Sequence, residues 1–289
     1  ADVKTDVKMQ VVRNDEGSPS SGSSAVAAMV GLGLGMVLYM FLMIYGAMVM
    51  QSVIEEKSSR VLEVVVSSVR PFELMMGKIF GVASVAVVQV LIWAVLVCGA
   101  GAAVMPHVLP DGAMEAAAAL QQGGGAATAA AGDFDPETLG AIALATDVGY
   151  LAMLFGYLLL FVVGGYLLYS AMFAAVGSAV DNAQDAAQLQ TPIMIPIILA
   201  VIVEMSVLND PNSPLAFWFS LIPFTSPVVM MARIPYGIPT WEIVLSLVLL
   251  YAAFVGMVWL SAKIYRVGIF MYGKKPTLRE MFRWIRYKY

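Results

Sequence analysis

Apolar residues fall in long unbroken runs, and nearly all of the charge is gathered in the stretches between them. Five runs, at about 25–50, 78–104, 148–176, 191–207 and 241–265, predict five membrane-crossing helices. At 1.5 Å per residue the first run, Ala25 to Met50, reaches about 39 Å, enough for a tilted crossing of a ~30 Å hydrocarbon core. Lipid cannot satisfy exposed backbone groups, so runs of this kind must bond internally as helices. The alternating ten-residue pattern of a strand-built barrel does not occur. The expected fold class is an all-α polytopic transmembrane bundle.

The intervening stretches have their own patterns. Residues 215–239 are apolar but interrupted by Pro223, Pro227, Pro235 and Pro239, which predicts two short half-helices re-entering one leaflet. Residues 51–77 hold Glu55, Glu56, Lys57, Arg60, Glu63, Arg70 and Glu73. A helix over 54–70 puts Ile54, Val61, Leu62, Val65 and Val69 near one face and spaces Glu56 and Arg60 as a favourable i, i+4 pair. Pro71 is expected to end it, with re-entry near Met75. Such an amphipathic helix is either an interfacial anchor or a docking surface for a soluble protein. Residues 105–147 are rich in Ala and Gly, carry acids but no Lys or Arg, and include a helical stretch at Met114–Gln121. A polar turn is expected at 177–190. Residues 1–24 read as a short strand at Val7–Val12 followed by a Gly/Ser/Pro linker; starting at Ala1 without a signal-peptide pattern, the sequence is expected to be a fragment of a longer chain.

Charge distribution sets the expected orientation. Of sixteen basic residues, Lys57, Arg60, Arg70 and Lys78 flank one inter-span segment, and Lys263, Arg266, Lys274, Lys275, Arg279, Arg283, Arg286 and Lys288 fill the C-terminal tail. The positive-inside rule puts both regions in the cytoplasm, and the four crossings between them agree. Composition fits the same class: of 289 residues 60% are hydrophobic and 12% charged, against about 25% charged in soluble domains, and the mean hydropathy is +0.83. A single cysteine, Cys98, and a single histidine, His107, exclude a disulfide framework and a His/Cys metal centre. Neither H-E-x-x-H nor G-x-S-x-G occurs, which removes the usual intramembrane hydrolase chemistries. Gly268 to Lys275 reads G-x-x-x-x-G-K-K, but Lys275 stands where a phosphate-binding loop needs Ser or Thr, and a membrane span precedes it.

Polar groups inside the runs are candidates because they are costly there. Glu204 and Gln89 are the candidates for a translocation path. Glu204 alternatively reaches the interface beside Asn209 and Asp210, and Gln89 alternatively makes a helix–helix hydrogen bond. Arg233 pairs either with an acid or with lipid headgroups. Gly31, Gly33 and Gly35 either admit a neighbouring backbone or are incidental, and Met36, Met40 and Met43 are read as packing.

Val53-Ile54-Glu55-Glu56-Lys57-Ser58-Ser59-Arg60-Val61-Leu62-Glu63-Val64, with Ser67 to Phe72 and Gly77-Lys78, resembles the ABC type-2 exporter permeases, and among them the NatB-like sodium-export permeases. Gly177 to Pro192, Ile222 to Pro227 with Arg233-Ile234-Pro235, and Tyr265 to Thr277 resemble further stretches of that family in the same order, over about residues 45–289. The resemblance implies six spans per subunit, so that residues 1–24 end an extracytoplasmic domain and the span at Ala25 is the family's second. It implies pairing with a second permease subunit, as homo- or heterodimer, and with a separate cytoplasmic ATPase that binds ATP and Mg. No cofactor is expected on this chain, and no nucleic acid partner. The 54–70 helix would be the coupling helix, with Ile54, Glu55, Glu56, Lys57, Arg60 and Glu63 against the ATPase. Asp181, Asn182, Gln184 and Asp185 would form a second cytoplasmic turn. The implied activity is export of sodium or of a drug-like amphiphile across the inner (plasma) membrane; the alternative is an ATPase-independent carrier or channel.

Overall fold

A computed structural model of the chain describes residues 21–59, 69–109, 112–121, 136–271, 273 and 277–285. The strand expected at 7–12, most of residues 1–24, and Arg60 and Glu63 of the expected coupling helix lie outside them. The described elements are α1 (Ser21–Ser58), α2 (Pro71–Val108), α3 (Ala113–Gln121), α4 (Pro136–Thr146), α5 (Val148–Ala179), α6 (Ala183–Val207), α7 (Pro214–Leu221), α8 (Ser226–Arg233), a 3-10 turn at Ile234–Tyr236, α9 (Thr240–Gly268) and α10 (Leu278–Trp284). Five of them, α1, α2, α5, α6 and α9, are long and apolar enough to cross a membrane. No strand occurs among the described residues, so the all-α bundle read from the sequence holds.

The bundle is organised around α5. This helix carries no charged residue, so it can be covered on every side, and from Phe161 to Ala179 nearly every position is buried. α1 and α9 pack along it, and α2 lies against it as well. α6 and the short α8 complete the bundle against α1, with α8 wholly buried. Outward faces stay apolar, as on α2 at Phe80, Val88, Ile92 and Val95 and on α6 at Ile195 and Ile202, which suits a lipid solvent.

Helix ends differ from the sequence reading, and for one reason: apolarity stops where charge begins, but helical hydrogen bonding does not. α1 begins at Ser21 and continues past Met50 to Ser58, with Val49, Met50, Val53 and Ile54 still facing inward. Residues 54–58 are thus the last turn of a crossing helix and not the start of a separate surface helix. Pro71 opens α2 instead of closing a preceding element, because a first-turn position needs no N–H donor. The polar stretch expected as a turn over 177–190 is mostly helix: only residues 180–182 break it, and Asn182 caps α6 by accepting the Asp185 N–H at 2.9 Å. α3 lies where a helix was expected at 114–121, whereas α4 was not anticipated within the Ala/Gly-rich connection. The tail is not simply extended: a capping box of Thr277 and Glu280 starts α10, which buries Met281 and Trp284.

The proline-broken segment forms two short helices, α7 and α8, as its spacing predicts. Its freed carbonyls are taken up by hydroxyls. Thr225 donates to Phe219 O at 2.6 Å, Tyr169 of α5 to Phe224 O at 2.6 Å, and Ser246 of α9 to Ser220 O at 2.7 Å. Broken backbone is tolerated in an apolar bundle only with such substitutes.

Of the three early glycines, two sit at contacts. A Cβ on Gly31 would run into the backbone carbonyl of Ala232 on α8, and one on Gly35 into the Glu204 carboxylate, while Gly33 has nothing within 4 Å. The i, i+4 spacing puts Gly31 and Gly35 on one face. Gly31→Leu is expected to separate α1 from α8 and cost about 1–3 kcal/mol of stability, as overpacking typically does. Thermal unfolding in detergent reads this, with Gly33→Leu as the control that leaves the midpoint unchanged.

Candidate functional site

Lys57 joins three elements at one end of the bundle. It lies three and four positions after Ile54 and Val53, so the inward stripe of α1 carries it into the interior, where its side chain has 0% exposure. Its ammonium donates to Ser178 O at 2.8 Å and to Gly268 O at 2.9 Å, and lies 3.0 Å from Asp181 Oδ1. Ser178 is in the last turn of α5 and Gly268 is the last residue of α9. Helix C-termini expose carbonyls and carry partial negative charge, so one cation between two of them is favoured by both hydrogen bonding and dipole. An ammonium has three N–H donors, and here three acceptors meet them.

Asp181 extends the joint. Its second oxygen accepts the Gly273 N–H at 2.6 Å, which ties the segment after α9 to the turn between α5 and α6. Gly273 has φ +74, a left-handed geometry that favours glycine. Gly268 is needed for a different reason: a Cβ there would stand 2.6 Å from Ser178 Oγ and 2.9 Å from the Ser178 carbonyl oxygen. The first glycine of the G-x-x-x-x-G-K-K string is therefore a helix-end contact. The C-terminal ends of α1, α5 and α9 converge here, which agrees with the even number of crossings expected between the 51–77 segment and the tail.

The remaining expected site residues divide into those the joint uses and those it leaves outside. Ile54 is buried, Glu55 is exposed, and Glu56 pairs with Lys78 of α2 at 2.6 Å. Lys78 also donates to Ser52 O at 3.1 Å and Ser52 Oγ at 2.9 Å, so α1 and α2 are clamped beside the Lys57 joint. Of the four expected contact residues at 54–57, Glu55 alone faces fully outward. Asn182 and Gln184 are exposed at the start of α6, and Asn182 Nδ2 donates to Asp185 Oδ2 at 3.0 Å. Sequence reasoning named Lys57 and Asp181 separately and missed Ser178, Gly268 and Gly273. The available signal was the spacing of Lys57 on the Met50–Val53–Ile54 stripe.

The intramembrane candidates resolve differently. Gln89 accepts a hydrogen bond from Tyr45 Oη at 2.9 Å, the helix–helix alternative of its two readings. Arg233 is 1% exposed; it pairs with Glu242 at 2.9 Å and donates to Ser220 Oγ at 2.6 Å and Pro211 O at 2.8 Å, so its partner is an acid. Glu204 does not reach an interface: it is 0% exposed and packed against Gly35. Among the described residues no group of three or more His, Cys, Asp or Glu is placed to hold a metal ion.

Comparison with known proteins agrees with this architecture. The family model described as "ABC-2 family transporter protein" matches residues 3–263. The "Uncharacterized protein YhaP" of Bacillus subtilis (strain 168) is 27% identical over 246 residues, covering 85% of this chain and 52% of that protein. The "Uncharacterized protein MJ1024" of Methanocaldococcus jannaschii is 27% identical over 260 residues, covering 89% and 54%. The chain thus spans about half the length of these relatives. No solved structure matches.

Proposed function

The chain belongs to the ABC-2 family of transporters, and from that premise we propose that this multi-pass membrane protein is the permease of an exporter driven by ATP hydrolysis in a separate cytoplasmic subunit. The observation that carries the proposal is the joint at Lys57. A partner pressing on the segment that leaves α1 at Ser59 would act on a helix end bonded directly to the ends of α5 and α9. Glu55 and Gln184, both exposed at this end, together with Arg60, supply polar groups for the ATPase contact. A second permease subunit, as homo- or heterodimer, completes the pathway, and the cargo is sodium or an amphiphile.

The test is retention of the ATPase. With the full-length permease and its ATPase co-expressed, the double charge reversal Glu55→Lys/Arg60→Glu is expected to weaken co-purification by about tenfold, equivalent to about 1.4 kcal/mol, with membrane insertion unchanged. Unchanged retention removes the docking assignment. The alternative, a carrier independent of ATP, draws on the buried Glu204. Uptake into inverted vesicles separates the two: the exporter requires ATP and its ATPase, whereas the carrier follows an ion gradient without them. Sodium and amphiphilic toxins compared in that assay identify the cargo.

A further inference from the structure

Among the described residues, Glu204 is the one buried acid that the joint, the proline-broken segment and the proposed ATPase contact leave unused. Its residue is 0% exposed, and neither carboxylate oxygen has a hydrogen-bond partner among the described residues. The carboxyl group occupies the space that a side chain at position 35 would fill: a Cβ on Gly35 would lie 2.7 Å from Glu204 Cδ. The α1–α6 contact is therefore shaped around this acid.

No counter-charge is at hand among the described residues. α6 packs against α1, α5, α7 and α8. α5 and α7 carry no charged residue. The charges of α1 are Glu55, Glu56 and Lys57, and Lys57 lies 22 residues from Gly35, about 33 Å along the helix. The charge of α8 is Arg233, which is committed to Glu242, Ser220 and Pro211. The tyrosine hydroxyls of these helices with assigned bonds point elsewhere: Tyr45 to Gln89, Tyr166 to Ile79 O and Tyr169 to Phe224 O.

A bare carboxylate in such a place is strongly disfavoured. A metal ion would require several more oxygen ligands than one carboxylate supplies. A proton needs none. We propose that Glu204 is a proton-binding site, closed by the α1–α6 contact at Gly35 and open to the medium on the Asp210 side when that contact parts. Closed, one carboxyl oxygen carries the O–H bond and the group is neutral; open, the carboxylate returns the proton to water. The route is short, because the helix ends at Val207, about 4.5 Å beyond Glu204 along its axis, and Asp210 in the following turn is exposed. The assignment does not depend on an ATPase partner.

The full-length chain in sealed vesicles tests it directly. Dicyclohexylcarbodiimide, an apolar reagent that captures protonated carboxyl groups, is expected to modify Glu204 at neutral pH, with no modification at that position in Glu204→Gln. Raising the pH on the Asp210 side alone is expected to slow the modification severalfold, and raising it on the Lys57 side alone to leave it unchanged. Gly35→Ala, which takes the space of the carboxyl group, is expected to change the rate severalfold. No modification at Glu204, a rate indifferent to pH on both sides, a response to the Lys57 side, or a rate untouched by Gly35→Ala overturns the proposal. Modification is read on the permease alone, so loss of ATPase docking and loss of the proton site are separate results.

Discussion

Lys57→Met will destabilise the bundle by about 3 kcal/mol, at the lower end of the range for breaking a buried ion pair because Asp181 keeps 31% of its side chain exposed. The loss has three parts: two helix-terminal carbonyls lose their donor, the Asp181 carboxylate loses its cation, and the methionine packs among polar groups. Thermal unfolding in detergent, followed by intrinsic tryptophan fluorescence, reads the change. Asp181→Asn should cost less, about 1 kcal/mol, since Lys57 retains Ser178 O and Gly268 O. The double variant should then lose less than the sum, which identifies the two side chains as partners. Lys57→Arg will not rescue, because a planar guanidinium cannot direct three bonds from a single nitrogen as an ammonium does. If Lys57→Met unfolds at the parent midpoint, the joint is not a mechanical element, and the route from α1 to α5 and α9 is lost with it.

The five crossings were legible because lipid imposes one rule on every outward position, and an apolar run records that rule locally. The broken segment was legible for a similar reason: prolines at 223, 227, 235 and 239 act on their own backbone. What the sequence hid is pairing across distance. Lys57 stands among Glu55, Glu56 and Arg60, and that company reads as a solvated face. Two of its acceptors, 121 and 211 residues away, are backbone carbonyls that no side-chain pattern announces. Glu204 was left between two readings by the same limitation. Nearby Asn209 and Asp210 suggested an interface, while the deciding neighbour is a glycine on another helix. Helix ends moved because polar residues at 183–190 and 55–58 continue helices that apolarity alone would stop.

Arg233 and Glu242 should show the opposite response to single and double substitution, and the reason lies in how the two short proline-broken helices are held. Arg233 ends α8, is 1% exposed, and binds Pro211 O before α7, Ser220 Oγ within α7 and Glu242 at the start of α9. One side chain therefore fixes both short helices to a crossing helix. Arg233→Gln leaves Glu242, with only 10% of its side chain exposed, without its cation, and Glu242→Gln leaves the guanidinium short of charge. Each is expected to cost about 3–5 kcal/mol, the usual penalty for orphaning one member of a buried pair. Arg233→Met with Glu242→Leu removes both charges together and should recover most of that loss, because the desolvation penalty disappears with the pair. Unfolding midpoints of the three variants decide it, and proteolysis between α7 and α8 tells whether the segment has come loose. A double variant no more stable than either single would mean that the bonds to Pro211 and Ser220, and not the ion pair, hold α7 and α8 in place.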